Sequence, residues 1–243
     1  ATPGSEKGKT KERFDLRKHL PDQEQDKISD ADNPWQECDC VRDLPIDKER
    51  GPYPVILFIH GTAGFRTQSL AHMVHWASRG FIVIAADHPG LNLKDALALR
   101  FEPKADLQGK ELLAAIRQQP KVLSFLEGRM DTTRLAVSGH SAGGNAASAL
   151  GKEPNVKVAI PMAGSDAVKV GDTPVSTLIL GGVDDKVVAW NKQQESFEKS
   201  SVVKRLLGLK KAGHLAFSDL CVIGSDKGGL LQIAQDSGVE IPS

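Results

Sequence analysis

The sequence predicts an α/β domain with a mainly parallel central sheet and helices on both faces. Three observations lead there. From Pro54 onward, apolar runs of strand length alternate with amphipathic segments of helix length. The first of these runs is apolar without a break, and a serine flanked by glycines stands where a later strand gives way to a helix.

Val55-Ile56-Leu57-Phe58-Ile59 has the pattern of a strand covered on both faces. Leu70, Met73, Val74 and Ala77 recur at helical spacing, and Gly80 suits a helix end. Phe81 to Ala86 reads as the next strand. Residues 105–127 read as helical, with Pro120 either kinking the stretch or opening its second half. Leu135 to Ser138 is a short strand that leads through Gly139 into a small-residue helix, Ala142 to Leu150. Strands follow at Val156 to Pro161 and Val175 to Leu180, then a helix over Val188 to Lys199. A strand over Lys204 to Leu209 and a last helix over Ser225 to Ser237 complete the pattern. Right-handed crossovers in such a sheet gather chemistry at the carboxyl ends of the strands.

Residues 1–33 mix both charges and carry few large apolar side chains (Phe14, Leu16, Leu20, Ile28), so they read as an arm or loosely attached strand before a single domain at 34–243. With 243 residues, 40% of them hydrophobic, one sizeable core is the simpler arrangement. Lys plus Arg and Asp plus Glu both number 31, which leaves no net field to attract nucleic acid or an anionic membrane. No run approaches the roughly 18 apolar residues of a membrane-spanning helix.

The chain opens Ala1-Thr2-Pro3 without Met, as a mature or trimmed form would, and export is one expectation. Cys38, Cys40 and Cys221 fit no zinc spacing, and a C-x-C pair does not close easily on itself. Two arrangements stay open. A disulfide from Cys221 to Cys38 or Cys40 suits an oxidising compartment, and three buried thiols suit the cytoplasm.

Gly139-His140-Ser141-Ala142-Gly143 matches G-x-S-x-G between a strand and a helix. A nucleophile on this sharp turn needs glycines two residues to either side, where a Cβ would meet backbone. The serine then needs a base after it and an acid between the two, in the order Ser, acid, His. His214 is the one histidine after Ser141, and it stands beyond a predicted strand. Asp184 and Asp185 directly follow strand 175–180, whereas Glu195 and Glu198 fall in a helix and Glu153, Asp166 and Asp172 lie elsewhere. Asp185 is preferred, since the glycine turn leaves it room, with Asp184 as the alternative. Ala142 N–H and an N–H of His60-Gly61-Thr62-Ala63-Gly64, Thr62 in particular, are the expected donors to an oxyanion. An orienting or packing role suits His60. Leu91, Leu93, Leu97, Leu99 and Phe101, with Trp190, are candidates to border a pocket, although plain packing is the commoner fate of such residues.

His60-Gly61-Thr62-Ala63-Gly64-Phe65-Arg66-Thr67, Ala77-Ser78-Arg79-Gly80-Phe81-Ile82-Val83 and Gly139-His140-Ser141-Ala142-Gly143-Gly144 resemble the platelet-activating factor acetylhydrolase and dienelactone-hydrolase-like group of the α/β-hydrolase superfamily. The likeness covers about residues 50–220. It implies an α/β-hydrolase fold and a serine esterase that needs no cofactor and no metal, and it supports Thr62 and Ala142 as oxyanion donors. Dienelactone hydrolases proper carry a cysteine where this chain has Ser141, so their substrate does not transfer. The expected substrate is a small-molecule or polymeric carboxylic ester, with polyester, cutin or lipid esters as alternatives. A catalytically silent binding protein on the same fold is a further, less favoured reading.

Overall fold

The computed structural model describes residues 1–200 and 203–241. Its first elements are a two-stranded antiparallel ribbon of β1 (Arg13–Phe14) and β2 (Gln36–Glu37), with the short helix α1 (Asp22–Gln25) between them. The main body then runs β3 (Tyr53–Ile59), α2 (Leu70–Ser78), β4 (Ile82–Ala85), α3 (Leu93–Leu97), α4 (Ala105–Gln118), β5 (Met130–His140), α5 (Ala142–Leu150), β6 (Val156–Met162), β7 (Ser176–Gly182), α6 (Trp190–Lys199), β8 (Val203–Leu209) and α7 (Leu230–Asp236). The six long strands lie in the order β4-β3-β5-β6-β7-β8, and each neighbouring pair is parallel. This is the predicted α/β architecture.

The unbroken apolar run of β3 is explained by cover on both faces. Val55, Leu57 and Ile59 pack with Leu113 and Ile116 of α4 and with Ala146, Ala147 and Leu150 of α5. Phe58 points the other way, toward Met73 and Trp76 of α2 and Phe217. Phe58 has no solvent exposure, and burying a side chain of this size contributes about 1.5–3 kcal/mol.

Three elements depart from the sequence pattern for local reasons. Pro120 ends α4 rather than kinking it: the residue before a proline is driven from the helical region, and Gln119 sits at φ 49°, ψ 61° before a 3-10 segment at Lys121–Leu126. β5 starts five residues before the apolar run, because Met130 pairs with Tyr53 and Asp131 with Pro54 while residues 132–134 bulge out of register. The last helix is divided: Ser225–Lys227 is a 3-10 turn and α7 begins at Leu230, separated by Gly228 and Gly229 at φ 83° and 90°.

The arm spends its few apolar residues on packing. Leu20 and Ile28 are buried against Ile233 and Val239, and Leu16 is buried with Phe65 and Ile223. Polar contacts hold the same seam. Glu240 N–H donates to the Glu24 carboxylate (2.9 Å), and Lys27 Nζ donates to the Gly238 carbonyl (3.1 Å).

The cysteine expectations are corrected. Cys38 and Cys40 form a disulfide with each other, and Cys221 is a free, exposed thiol, so neither a Cys221 bridge nor three free thiols is found. The reason lies in the arm: Glu12 accepts from Cys38 N–H (3.0 Å) and donates to the Cys40 carbonyl (2.9 Å). Both cysteines are thereby drawn to one residue, with Cα atoms 5.1 Å apart, within the span a disulfide takes. Among the described residues, no helix is long and apolar enough to cross a membrane.

Candidate active site

β5 ends against a forced turn. Ser141, between β5 and α5, has φ 55° and ψ −119°, a conformation that costs a non-glycine residue about 1–3 kcal/mol and persists only where its surroundings impose it. Here the surroundings are tight. A Cβ on Gly139 would lie 2.3 Å from the Gly143 carbonyl oxygen, and one on Gly143 would lie 2.1 Å from that of Ile59. Ser141 N–H donates to the Met162 carbonyl (2.8 Å), which ties the turn to the end of β6.

The loops after β7 and β8 bring two more residues to this serine. His214 opens a 3-10 turn at His214–Phe217 and places Nε2 2.9 Å from Ser141 Oγ. Its Nδ1 is 2.9 Å from Asp185 Oδ2. The Asp185 side chain is fully buried, and its Oδ1 accepts from Val187 N–H (2.8 Å) and Val188 N–H (2.9 Å). Asp184 is exposed, and among the described residues only its backbone N–H is engaged, to the Ala212 carbonyl (3.0 Å). An ionised Asp185 can only accept, so the His214 proton sits on Nδ1 and the Nε2 lone pair faces the serine hydroxyl.

The loop after β3 abuts the turn: a Cβ on Gly61 would lie 3.2 Å from Ser141 Cβ. Within it, Gly61 N–H donates to Gln68 Oε1, Ala63 N–H to the Leu91 carbonyl and Gly64 N–H to the Gly61 carbonyl. Thr62 N–H has no acceptor among the described residues. Ala142 N–H stands at the first position of α5, where no carbonyl lies one turn back. These two N–H groups are the pair expected from the sequence.

Two residues without a sequence signal join the loops. Buried Gln68 takes the Gly61 N–H on Oε1 and donates from Nε2 to His140 Nδ1 (2.7 Å); His140 Nε2–H then donates to the His214 carbonyl (2.7 Å). The chain of bonds runs from the β3 loop through the serine turn to the histidine loop. Burial pushes the His140 imidazole down to about 4, so it is neutral near pH 7. Nothing in the spacing of Gln68 distinguishes it from a helix-flanking glutamine. His60 is similar: fully buried and held down to about 4, it accepts His88 N–H on Nε2 and donates from Nδ1 to the Gly61 carbonyl, an orienting arrangement.

The pocket candidates separate. Leu93 and Leu97 line an apolar cavity beside the site, and Leu91 is buried in the core. Leu99 and Phe101 are exposed, and Trp190 lies against the backbone of Gly181 and Gly208.

A family model described as PET hydrolase-like matches residues 47–221. Cutinase est1 of Thermobifida alba is 30% identical over 175 residues, 70% of this chain and 56% of the relative. Cutinase cut1 of Thermobifida fusca is 29% identical over the same length, 52% of that protein. Chlorophyllase type 0 of Chenopodium album is 36% identical over 112 residues, 42% of this chain and 30% of that protein. The match thus spans little more than half the length of the cutinases. The likeness to the platelet-activating factor acetylhydrolase and dienelactone-hydrolase-like group stands beside these matches as a resemblance.

Proposed function

Because the chain belongs to the PET hydrolase-like family, we propose that it is a serine esterase that works through an acyl-enzyme on Ser141. The observation that carries this reading is the line from Asp185 through His214 to Ser141, both links at 2.9 Å. Ser141 Oγ attacks the ester carbonyl carbon as its proton passes to His214 Nε2, and Asp185 stabilises the imidazolium without taking the proton. Charge on the carbonyl oxygen is met by Thr62 and Ala142 N–H, a donor of this kind contributing about 2.7–4 kcal/mol. His214 returns the proton to the departing alkoxide, and water, deprotonated in turn by His214, releases the acid.

A small-molecule carboxylic ester is the proposed substrate. The relatives named cutinase support cutin or another polymeric ester as the alternative. The Cys38–Cys40 disulfide supports an oxidising compartment outside the cytoplasm. The test is hydrolysis of short p-nitrophenyl esters together with labelling by a fluorophosphonate. Ser141→Ala is expected to abolish both, and label persisting on another serine refutes the assignment.

A further inference from the structure

Beside the catalytic loops lies a cavity of about 410 Å³, within the roughly 300–1,000 Å³ of small-molecule sites. Ala63 and Leu215, which border it, are the residues immediately after the proposed oxyanion donor Thr62 and the proposed base His214. The cavity therefore lies next to the place where an ester bond would be held. Its walls are almost wholly apolar. Arg17 is the one charged residue among them, and its guanidinium is already met by Asp15 and Asp30, each at 2.8 Å, and by the Ile28 carbonyl at 3.0 Å. Leu215, Leu231 and Ile241 stay exposed at the lining, an apolar rim turned to water.

The origin of the walls is informative. Leu16, Leu20 and Ile28 come from the arm and Leu230, Ile233 and Ala234 from α7, all outside the 47–221 segment that matches the family. Segments on either side of that match thus add an apolar compartment beside it. Among the described residues that line it, no unpaired charge or polar cluster awaits a headgroup, an aromatic acid or a sugar.

On the reading of the protein as an esterase, we propose that this cavity is a chain-binding subsite that selects esters carrying an unbranched aliphatic chain. The chain enters past Ala63 and Leu215 and lies between the arm and α7 while its ester bond is held at Ser141. Each methylene moved from water into these walls contributes about 0.8 kcal/mol, a fourfold gain in kcat/KM per carbon until the cavity is full.

The experiment is a kcat/KM series on the whole chain in two arms, p-nitrophenyl esters from acetyl to dodecanoyl, and acetates of straight-chain alcohols of matching length. A rise of about fourfold per methylene in one arm is expected, and the arm that rises tells whether the acyl or the alcohol chain occupies the cavity. Ala234→Trp, which fills the cavity from α7, is expected to flatten that arm while turnover of the acetyl ester persists. Leu97→Phe does the same from α3 and replaces it should the tryptophan variant lose acetyl-ester turnover. A flat profile in both arms, or a slope unchanged in a filled variant that still turns over the acetyl ester, overturns the subsite and leaves the esterase standing. Absence of turnover on every ester, with no fluorophosphonate label, overturns the esterase reading itself.

Discussion

Asp185→Asn separates the role of the acid from its shape. The amide is nearly isosteric with the carboxylate, and the structure decides which way it faces. Val187 and Val188 N–H both point at Oδ1 from 2.8 and 2.9 Å, and an amide nitrogen there would set donor against two donors. The amide oxygen must take those two bonds, which turns its NH₂ toward His214 Nδ1. To accept that bond, His214 moves its proton to Nε2, so an N–H instead of a lone pair meets Ser141 Oγ. The base is then lost without loss of geometry, and the wrong tautomer in a triad of this kind costs about 10⁴-fold in kcat, or roughly 5.4 kcal/mol. The assay is p-nitrophenyl acetate turnover, with circular dichroism to establish that the variant is folded. Asp184→Asn, at an exposed carboxylate, is expected to stay within about twofold of the parent, as surface changes do. Equal losses in the two variants, or the larger loss at Asp184, would refute the assignment of the acid.

The buried relay and the buried imidazoles give two more expectations. Gln68→Ala leaves Gly61 N–H and His140 Nδ1 without their partners; at about 1–3 kcal/mol for each buried group, urea unfolding should show a loss of about 2–6 kcal/mol, and a change under about 0.5 kcal/mol counts against the relay. His60 and His140 are both held down to about 4 by burial, whereas their unfolded forms titrate near 6.5. The unfolded chain therefore binds protons first as pH falls, so stability present near neutrality is lost between about pH 6.5 and about pH 4, by up to about 3 kcal/mol per histidine. A urea midpoint that holds constant across that window contradicts it.

Much of the proposed site is legible in the sequence because its members obey local rules. Ser141 carries its glycines with it in five residues, and His214 follows from chain order. The choice between Asp184 and Asp185 is not local: it depends on which carboxylate meets the Val187 and Val188 amides and the imidazole behind β8. Gln68 and His140 matter through three loops that only the folded sheet brings together. The cysteines mislead for the same reason, since their pairing follows from two bonds to Glu12, more than twenty residues away. The arm is hidden by its own charges, because Leu20 and Ile28 meet Ile233 and Val239 some two hundred residues on, and Leu16 meets Phe65 and Ile223.

That seam has a consequence for biosynthesis. More than two hundred residues separate Leu20 and Ile28 from Ile233 and Val239, which cover them. The sheet can assemble while those residues are made, yet the arm waits through them without that cover, the condition in which nascent chains aggregate or recruit chaperones. The clasp of Glu24 with Glu240 is accordingly a late event: it can close only after every strand of the sheet has been synthesised.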